Sequence, residues 1–450
     1  MFLEIRDVEV IYRGKGRPAL KIPRLEVKGG EIVLIQGRTG SGKSTFLNLL
    51  NGVIPDIVEA EVRGEIRMGG RRLVPGEGQP VVVGSLFQDP DAQLVHQYVM
   101  DEIGFGLENL GYSPREIESK VRKVASLLNI SHLLHREIRE LSLGEKQVVM
   151  LASVIAMEPE LLVMDEPTSN LDPWETRQVL ELIGKLGITT IIAEHKPEFR
   201  KIADKVVTLV NGEIGEVEIP TEYPSASTRS SDNGITLLAK IQVKTGDRVI
   251  LNTSLELPRG VNALLGRNGS GKTTMLRAIS GLLPRNFNFE GYILVNGKDI
   301  SKLSPRQRGR VVGYLPQDVQ LLFSRDTVAK ELASCTGRTD VEVLLKRFGL
   351  QGYGDEDPFY LSTGQARRLA MACVLASGVE VVLLDEPTTG QDIESRLRLG
   401  DELRGLGKTI LISTHDPLFA RSFADQILLL ENGTVRKLTG DILELTGSGN

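Results

Sequence analysis

Residues 37–45 read GRTGSGKST and residues 266–274 read GRNGSGKTT. Both fit G-x-x-x-x-G-K-[ST], in which glycines let backbone N–H groups close around phosphate oxygens, the lysine reaches the terminal phosphates, and the hydroxyl after it holds Mg²⁺. With 47 glycines in 450 residues, one accidental match has a probability of about 3% and two about one in a thousand. One nucleotide needs one such loop, so a second loop in the same chain demands a second site.

Subtraction shows that more than the loop is repeated. Lys43 and Lys272 lie 229 positions apart, as do Gln88 in SLFQDP and Gln317 in GYLPQD. Ser142 of LSLGEKQ and Ser362 of LSTGQAR lie 220 apart, and the same 220 separates Asp165 from Asp385 and His195 from His415. The chain is therefore an internal duplication in which the second copy lacks nine residues between its glutamine and its serine. The first copy is assigned to residues 1–218 and the second to 235–450. The segment between them, IPTEYPSASTRSSDNG at 219–234, is rich in Ser, Pro and Thr without hydrophobic period and reads as a linker. Its residues could span about 55 Å when stretched.

Each copy patterns as α/β. EIVLIQ leads into the first loop and STFLNLLNG follows it with helical spacing; VNALLG and TTMLRAISG repeat the arrangement. LLVMDEP and VVLLDEP are short apolar runs ending in acids, as buried parallel strands do when their carboxyl ends face a site. SPREIESKVRKVASLL carries Ser113 as a cap, Pro114 in the first turn and Glu116 three after the cap, which predicts a helix start. The matching helix of the second copy is expected in TDVEVLLKRFG.

Phosphoryl transfer to water requires charge neutralisation, a metal and a positioned water. Lys43 and Lys272 are candidates for the β and γ phosphates, and Ser44 and Thr273 for Mg²⁺. Asp165 and Asp385 end apolar strands, where a carboxylate reaches the metal shell, while Glu166 and Glu386 follow immediately and would orient or deprotonate the attacking water. His195 and His415 would sense the γ-phosphate; a lone histidine is more often structural, and the identical interval of 30 from each aspartate is what singles these two out. Gln88 and Gln317, each 45 residues after its lysine, could meet metal and water.

The totals narrow the class. A net charge of −5 from 54 basic and 59 acidic residues, dispersed along the chain, argues against a nucleic-acid surface as the main business. Two cysteines, Cys335 and Cys373, make neither a disulfide framework nor a CxxC site and read as small buried hydrophobes in a reducing compartment. MFLEIRDVEV lacks the charged leader and apolar core of an export signal, and no apolar run nears the roughly 18 residues that span a bilayer. Any service to a membrane is expected to run through partners.

Phosphate loop, glutamine loop, LSxG segment, DEP strand end and histidine, in that order and twice over, resemble the ATP-binding cassette family. The resemblance implies two tandem cassettes, each with a P-loop core on a mostly parallel sheet, an antiparallel β subdomain and a helical signature subdomain. It implies ATP bound by Gly37, Arg38, Thr39, Gly40, Ser41, Gly42, Lys43, Ser44 and Thr45 together with Ser362, Gly364 and Gln365. A second ATP is implied at Gly266, Arg267, Asn268, Gly269, Ser270, Gly271, Lys272, Thr273 and Thr274 together with Ser142, Gly144 and Glu145. Each nucleotide would then lie between cassettes of one chain packed head to tail, with SNLD (169–172) and TGQD (389–392) coupling the sites. Leu143 and Glu145 depart from the family's usual Gly and Gln. Tyr12 stands where the family stacks an aromatic on adenine, and the second copy has only VKTGD there, so unequal affinities are expected.

FQDPDAQLV followed by VMDEIGFGLENLGYSPREIESKV is similar, more narrowly, to the paired ATPases of energy-coupling-factor transporters, which import vitamins or transition-metal ions; Asp89 and Val95 depart slightly from that pattern. That likeness implies a peripheral position on the cytoplasmic face of the membrane, with docking to a membrane scaffold subunit, and through it a substrate-binding subunit, by grooves near Gln88–Leu110 and Gln317–Leu332. Leu94, Val95, Leu321, Leu322 and Phe323 suit such grooves, with core packing as the plain alternative for each. Fused ATPases of sugar importers and soluble translation-associated twin cassettes are the rival readings. Light scattering of the purified chain is expected to give the mass of a single chain with and without ATP; an ATP-dependent doubling would overturn pairing within one polypeptide.

Overall fold

The computed structural model describes residues 1–38, 40–74, 78–87, 90–169, 171–215, 234–337, 340–389, 391 and 393–438. The chain divides near residue 221 into two compact units. The expected linker at 219–234 lies, but for its last residue, outside the described residues.

In the first unit, strands Val83–Leu86, Leu161–Asp165, Thr189–Ala193, Ile32–Gln36 and Lys205–Val210 lie side by side in that order, all parallel. In the second unit the order is Val312–Leu315, Val381–Asp385, Thr409–Ser413, Gly260–Leu265, Gln426–Glu431, again parallel, with Thr434–Lys437 added antiparallel at the edge. The two copies thus share one strand permutation. Helices cover both faces of such sheets, so the strands are continuous apolar runs rather than alternating ones. IVLIQ is buried at all five positions, and Leu161, Leu162 and Met164 are 0% exposed.

An antiparallel layer accompanies each parallel sheet. In the first unit Leu3–Tyr12 pairs with Leu20–Val27 and Ala60–Met68. The alternation Leu3, Ile5 then Val8, Val10 on its buried side skips a residue where the register shifts between Arg6 and Glu9. A bulge there keeps both halves of the strand facing the core. In the second unit Ile235–Thr245 pairs with Arg248–Pro258 and Phe287–Val295. The copies differ at one join: Glu213–Ile214 bridges Lys21 to strand Lys205–Val210, so the first unit's strands form one sheet of ten, whereas the second keeps sheets of four and six.

Helices complete the cores. The helix after the first loop spans Lys43–Leu50 and its counterpart Lys272–Ser280; both pack against the antiparallel layer through Phe46, Leu47 and Leu50, or Met275, Leu276 and Ile279. The opposite face of each sheet is covered by the helix that follows LSLG or LSTG, Leu143–Ala156 or Thr363–Ala376. Ser113 caps helix Pro114–Leu127 in a complete capping box with Glu116, as its sequence predicts. The counterpart in the second unit is shorter than TDVEVLLKRFG suggests: it starts at Glu342, after a Val341 cap without a side-chain hydrogen bond, and ends at Arg347 before Gly349 turns left-handed at φ 64°. Leu383→Ala, in the middle of a fully buried strand, is expected to lower the unfolding free energy of its unit by about 2–5 kcal/mol in urea melts. Leu127→Ala, at a 57% exposed position, should change it by less than about 0.5 kcal/mol.

Candidate functional site

In each unit the phosphate loop joins a buried strand to a helix N-terminus. Gly42 and Gly271 occupy the N-cap with φ of 102° and 103°, a left-handed conformation that glycine adopts without steric cost and that turns the loop back over the helix end. The first helical N–H groups therefore point into the loop and favour an anion there. Lys43 and Lys272 are each 7% exposed and donate to carbonyls of their own loop: Lys43 Nζ to Gly37 at 2.7 Å and Arg38 at 3.2 Å, Lys272 Nζ to Gly266 at 2.7 Å and Arg267 at 3.1 Å. The hydroxyls of Ser41 and Ser270, at matched positions of the two loops, are buried without a hydrogen-bond partner among the described residues. Buried polar atoms are normally satisfied, so this paired vacancy of hydrogen bonds marks a place for ligand oxygens.

The acids arrive from the neighbouring strand. Asp165 ends Leu161–Asp165 and accepts a 2.9 Å hydrogen bond from Ser44 Oγ. Burial pushes its carboxyl above the usual range, against the pull of Ser44 and Lys43. Asp385 ends Val381–Asp385, is pushed up by burial in the same way, and accepts from Ser413, from Thr273 and, at 3.3 Å, from Tyr314. Burial and Asp385 together drive the Tyr314 hydroxyl to about 12, so it stays a donor. A hydroxyl beside a carboxylate at the lysine-bearing helix end is a hard-oxygen set that suits Mg²⁺. Among the described residues no cluster of three or more His, Cys, Asp or Glu could hold a metal by itself.

Glu166 and Glu386 both have positive φ, 46° and 49°, and both are buried. Glu386 meets His415 Nδ1 at 2.8 Å and Lys272 Nζ at 3.9 Å. Burial raises its pKa, but His415 and Lys272 outweigh that and hold it below the ordinary carboxylate value. Glu166 meets His195 through Nε2 at 3.5 Å. The loop lysine, metal-shell hydroxyl, strand-end aspartate, glutamate and histidine expected from the sequence thus converge in each unit.

Other expected residues are placed differently. Ser142 and Ser362 cap their helices, and their backbone N–H groups donate to Glu145 and Gln365 at 2.8 and 2.9 Å; Ser142 Oγ also donates to Glu145. Glu145 further pairs with Arg136 at 3.4 Å. Tyr12 shares a 2.9 Å hydrogen bond with Thr45 and lines an open cleft of about 480 Å³ with Lys15, Pro55 and Glu59. Gln317 is exposed on the loop after Val312–Leu315. Thr39 and Gln88 lie outside the described residues, as do Asn170, Gly390 and Asp392 of the segments SNLD and TGQD. Of the apolar residues expected in docking grooves, Val95 and Leu321 are exposed at 66% and 73%. Phe323 instead is buried in the second unit's core with Leu322 packed partly buried against that core, and Leu94 packs partly buried against the first unit's core, so for these three the plain alternative holds. Cys373 is buried as expected, whereas Cys335 is only partly so.

Sequence reasoning missed the braces of the glutamates. Gln147 Nε2 donates to the Glu166 carbonyl at 3.3 Å, and Arg367, 220 positions on, donates to the Glu386 and Thr389 carbonyls at 3.1 and 2.7 Å. Their shared place three residues after the LSxG glycine was the available signal, hidden because the residue types differ.

A profile described as ABC transporter matches residues 20–169 and 250–389. The chain is 43% identical to a Sulfurisphaera tokodaii protein provisionally named an ABC transporter ATP-binding protein, over 96% of this chain and 97% of that one. It is 29% identical to a Bacillus subtilis protein provisionally named an HMP/thiamine import ATP-binding protein, over 96% and 90%. Among solved structures, one described as RNase-L Inhibitor superposes with a TM-score of 0.66 at 23% identity, over 96% and 90%. A ribosome-bound archaeal Pelota and ABCE1 assembly gives 0.71 at 22%, over 96% and 78%. Structural likeness at that identity establishes the fold, two tandem cassettes, and nothing finer.

The raised pKa values of Asp165 and Asp385 carry a sign. Each folded-state value lies above the unfolded 3.8, so the ionised carboxylate costs stability once pH has risen through the folded value, and the cost is absent below the unfolded one. Asp165→Asn with Asp385→Asn is therefore expected to leave the melting temperature at pH 7 unchanged or higher in calorimetry, while ATP turnover falls by about 100-fold or more.

Proposed function

Because the chain belongs to the ABC transporter family of ATP-binding proteins, we propose that it is the ATP-hydrolysing subunit of a membrane importer of the energy-coupling-factor type, stationed at the cytoplasmic face. The observation that carries the ATPase part is the glutamate that follows the strand-end aspartate and meets the histidine in both units, with the loop lysine at 3.9 Å from it in the second.

The chemistry follows from the chain's own groups. Lys43 and Lys272 would exchange their bonds to loop carbonyls for bonds to phosphate oxygens, and the unpartnered Ser41 and Ser270 hydroxyls would donate alongside them. Ser44 with Asp165, and Thr273 with Asp385, would hold Mg²⁺, which supplies Lewis-acid neutralisation of the phosphates when bound. Glu386, kept ionised by His415 and Lys272, accepts a hydrogen bond from water and fixes its direction of attack. Its lowered pKa suits orientation better than early proton removal. His415 bridges that glutamate to the incoming phosphate.

The importer part rests on two supports. One is the likeness along nearly the whole chain to a protein named for HMP/thiamine import. The other is the FQDPDAQLV segment, whose last residue, the apolar Val95, is left exposed. No helix among the described residues is long and apolar enough to cross a membrane, so the reading assigns the membrane-spanning work to partner subunits.

Glu166→Gln combined with Glu386→Gln is expected to cut ATP hydrolysis by about 100-fold or more while ATP binding, read by isothermal calorimetry, persists. Unchanged hydrolysis would remove both glutamates from their assigned role. Affinity purification from the native membrane fraction is expected to bring down integral membrane proteins; recovery with ribosomes instead would replace the importer reading with a translation-associated one.

A further inference from the structure

We propose that the residue following each site histidine, Lys196 in the first unit and Asp416 in the second, is a positioning residue that ties the histidine loop to the segment beyond the acid pair. The inference rests on the ATPase reading of the site and concerns a contact that the two copies build from opposite charges.

In the first unit Lys196 Nζ donates to the carbonyls of Thr168 at 2.7 Å and Leu171 at 3.3 Å, and to Thr176 Oγ1 at 3.0 Å. Glu194, on the other side of His195 and only 3% exposed, accepts from Thr168 Oγ1 at 2.7 Å and from the N–H groups of His195 and Lys196 at 2.7 and 3.3 Å. His195 is thus flanked by an anion and a cation that both engage residues 168–176.

The duplication supplies the comparison. Adding 220 converts Leu171, Thr176, Glu194 and Lys196 to Gln391, Arg396, Thr414 and Asp416. The cation has moved across the gap. Arg396 Nη1 pairs with Asp416 Oδ2 at 3.1 Å, with both side chains largely buried, and Arg396 Nε donates to the Gln391 carbonyl at 2.9 Å. That carbonyl is the counterpart of the Leu171 carbonyl that Lys196 reaches. A cationic N–H therefore meets the same backbone position in both units, delivered from the histidine loop in one and from the following helix in the other. Thr414, where the first unit has Glu194, avoids placing a second carboxylate beside Asp416, and its Oγ1 accepts from the Asp416 N–H at 3.0 Å. When both side chains change charge and the contact remains, the contact is what the fold requires.

Its place gives it a task. The tied segment begins next to Glu166 or Glu386, and the tied loop carries the histidine that touches that glutamate, at 3.5 and 2.8 Å. Holding loop and segment together fixes the glutamate–histidine distance without touching the phosphate loop. Loss of the tie should slow turnover and leave nucleotide affinity alone.

The test uses the full chain with Lys196→Met and Arg396→Met combined, so that both ties are cut. Steady-state ATPase is expected to show kcat lowered about fivefold or more with KM within about twofold, and hydrogen exchange to speed up in peptides covering 166–176 and 386–397. Lys196→Arg should restore exchange protection in the first unit. The graft Thr176→Arg, Glu194→Thr and Lys196→Asp, which copies the second unit, should recover protection that Lys196→Asp alone loses. The proposal is overturned if the double Met variant keeps kcat within about twofold of the parent, or if the graft exchanges as fast as Lys196→Asp alone. Should the Met variant unfold, the contrast between graft and single substitution still decides. A parent chain that hydrolyses no ATP would sink the ATPase reading instead, with the exchange data still judging the tie.

Discussion

The structure turns on a positive charge kept out of water. Each loop lysine is almost wholly buried at the point where a strand, a helix N-terminus and the carboxyl end of a second strand meet. A buried ammonium is tolerated only if its protons are accepted, and here the acceptors are the carbonyls of its own loop, with Glu386 close by in the second unit. That requirement explains why the loop must fold back over the helix end, why it carries glycine where the backbone turns left-handed, and why acidic residues gather on the neighbouring strand. The site is an electrostatic balance first and a catalytic arrangement second.

Much of this was legible in the residues because parallel strands buried on both faces have little freedom in composition. IVLIQ, LLVMD and VVLLD are recognisable as strands without reference to neighbours, and the acids that end them are then fixed at the sheet's carboxyl edge. Matched intervals within the two copies, 45 from lysine to glutamine and 30 from aspartate to histidine, did the rest, lifting single histidines and glutamines above the background. Boundaries set by local chemistry were less legible. The helix at Glu342 starts late because Val341 cannot cap it, and the burial of Phe323 follows from the way its turn packs against the helix after LSTG, which no periodicity encodes.

What the sequence concealed are contacts in which the copies differ in residue type but agree in geometry. Gln147 and Arg367 brace corresponding carbonyls, those of Glu166 and Glu386, one as a neutral donor and the other as a cation that burial drives below its ordinary pKa. Tyr314 and Ser413 crowd Asp385, whereas Ser44 is the hydroxyl at Asp165. A motif search asks for the same letter twice, while the fold asks only for a donor at a given point. Two copies that share a backbone yet surround their aspartates and glutamates with different partners are electrostatically unequal machines.

The left-handed backbone at Glu166 and Glu386 has a consequence of its own. An L-residue with a long side chain is uncomfortable there by about 1 kcal/mol, a penalty that glycine would escape. Thermodynamics alone would therefore push both corners toward the smallest amino acid, and only the work asked of the carboxylate opposes it. A cassette released from that work would drift downhill into a sturdier, silent version of itself.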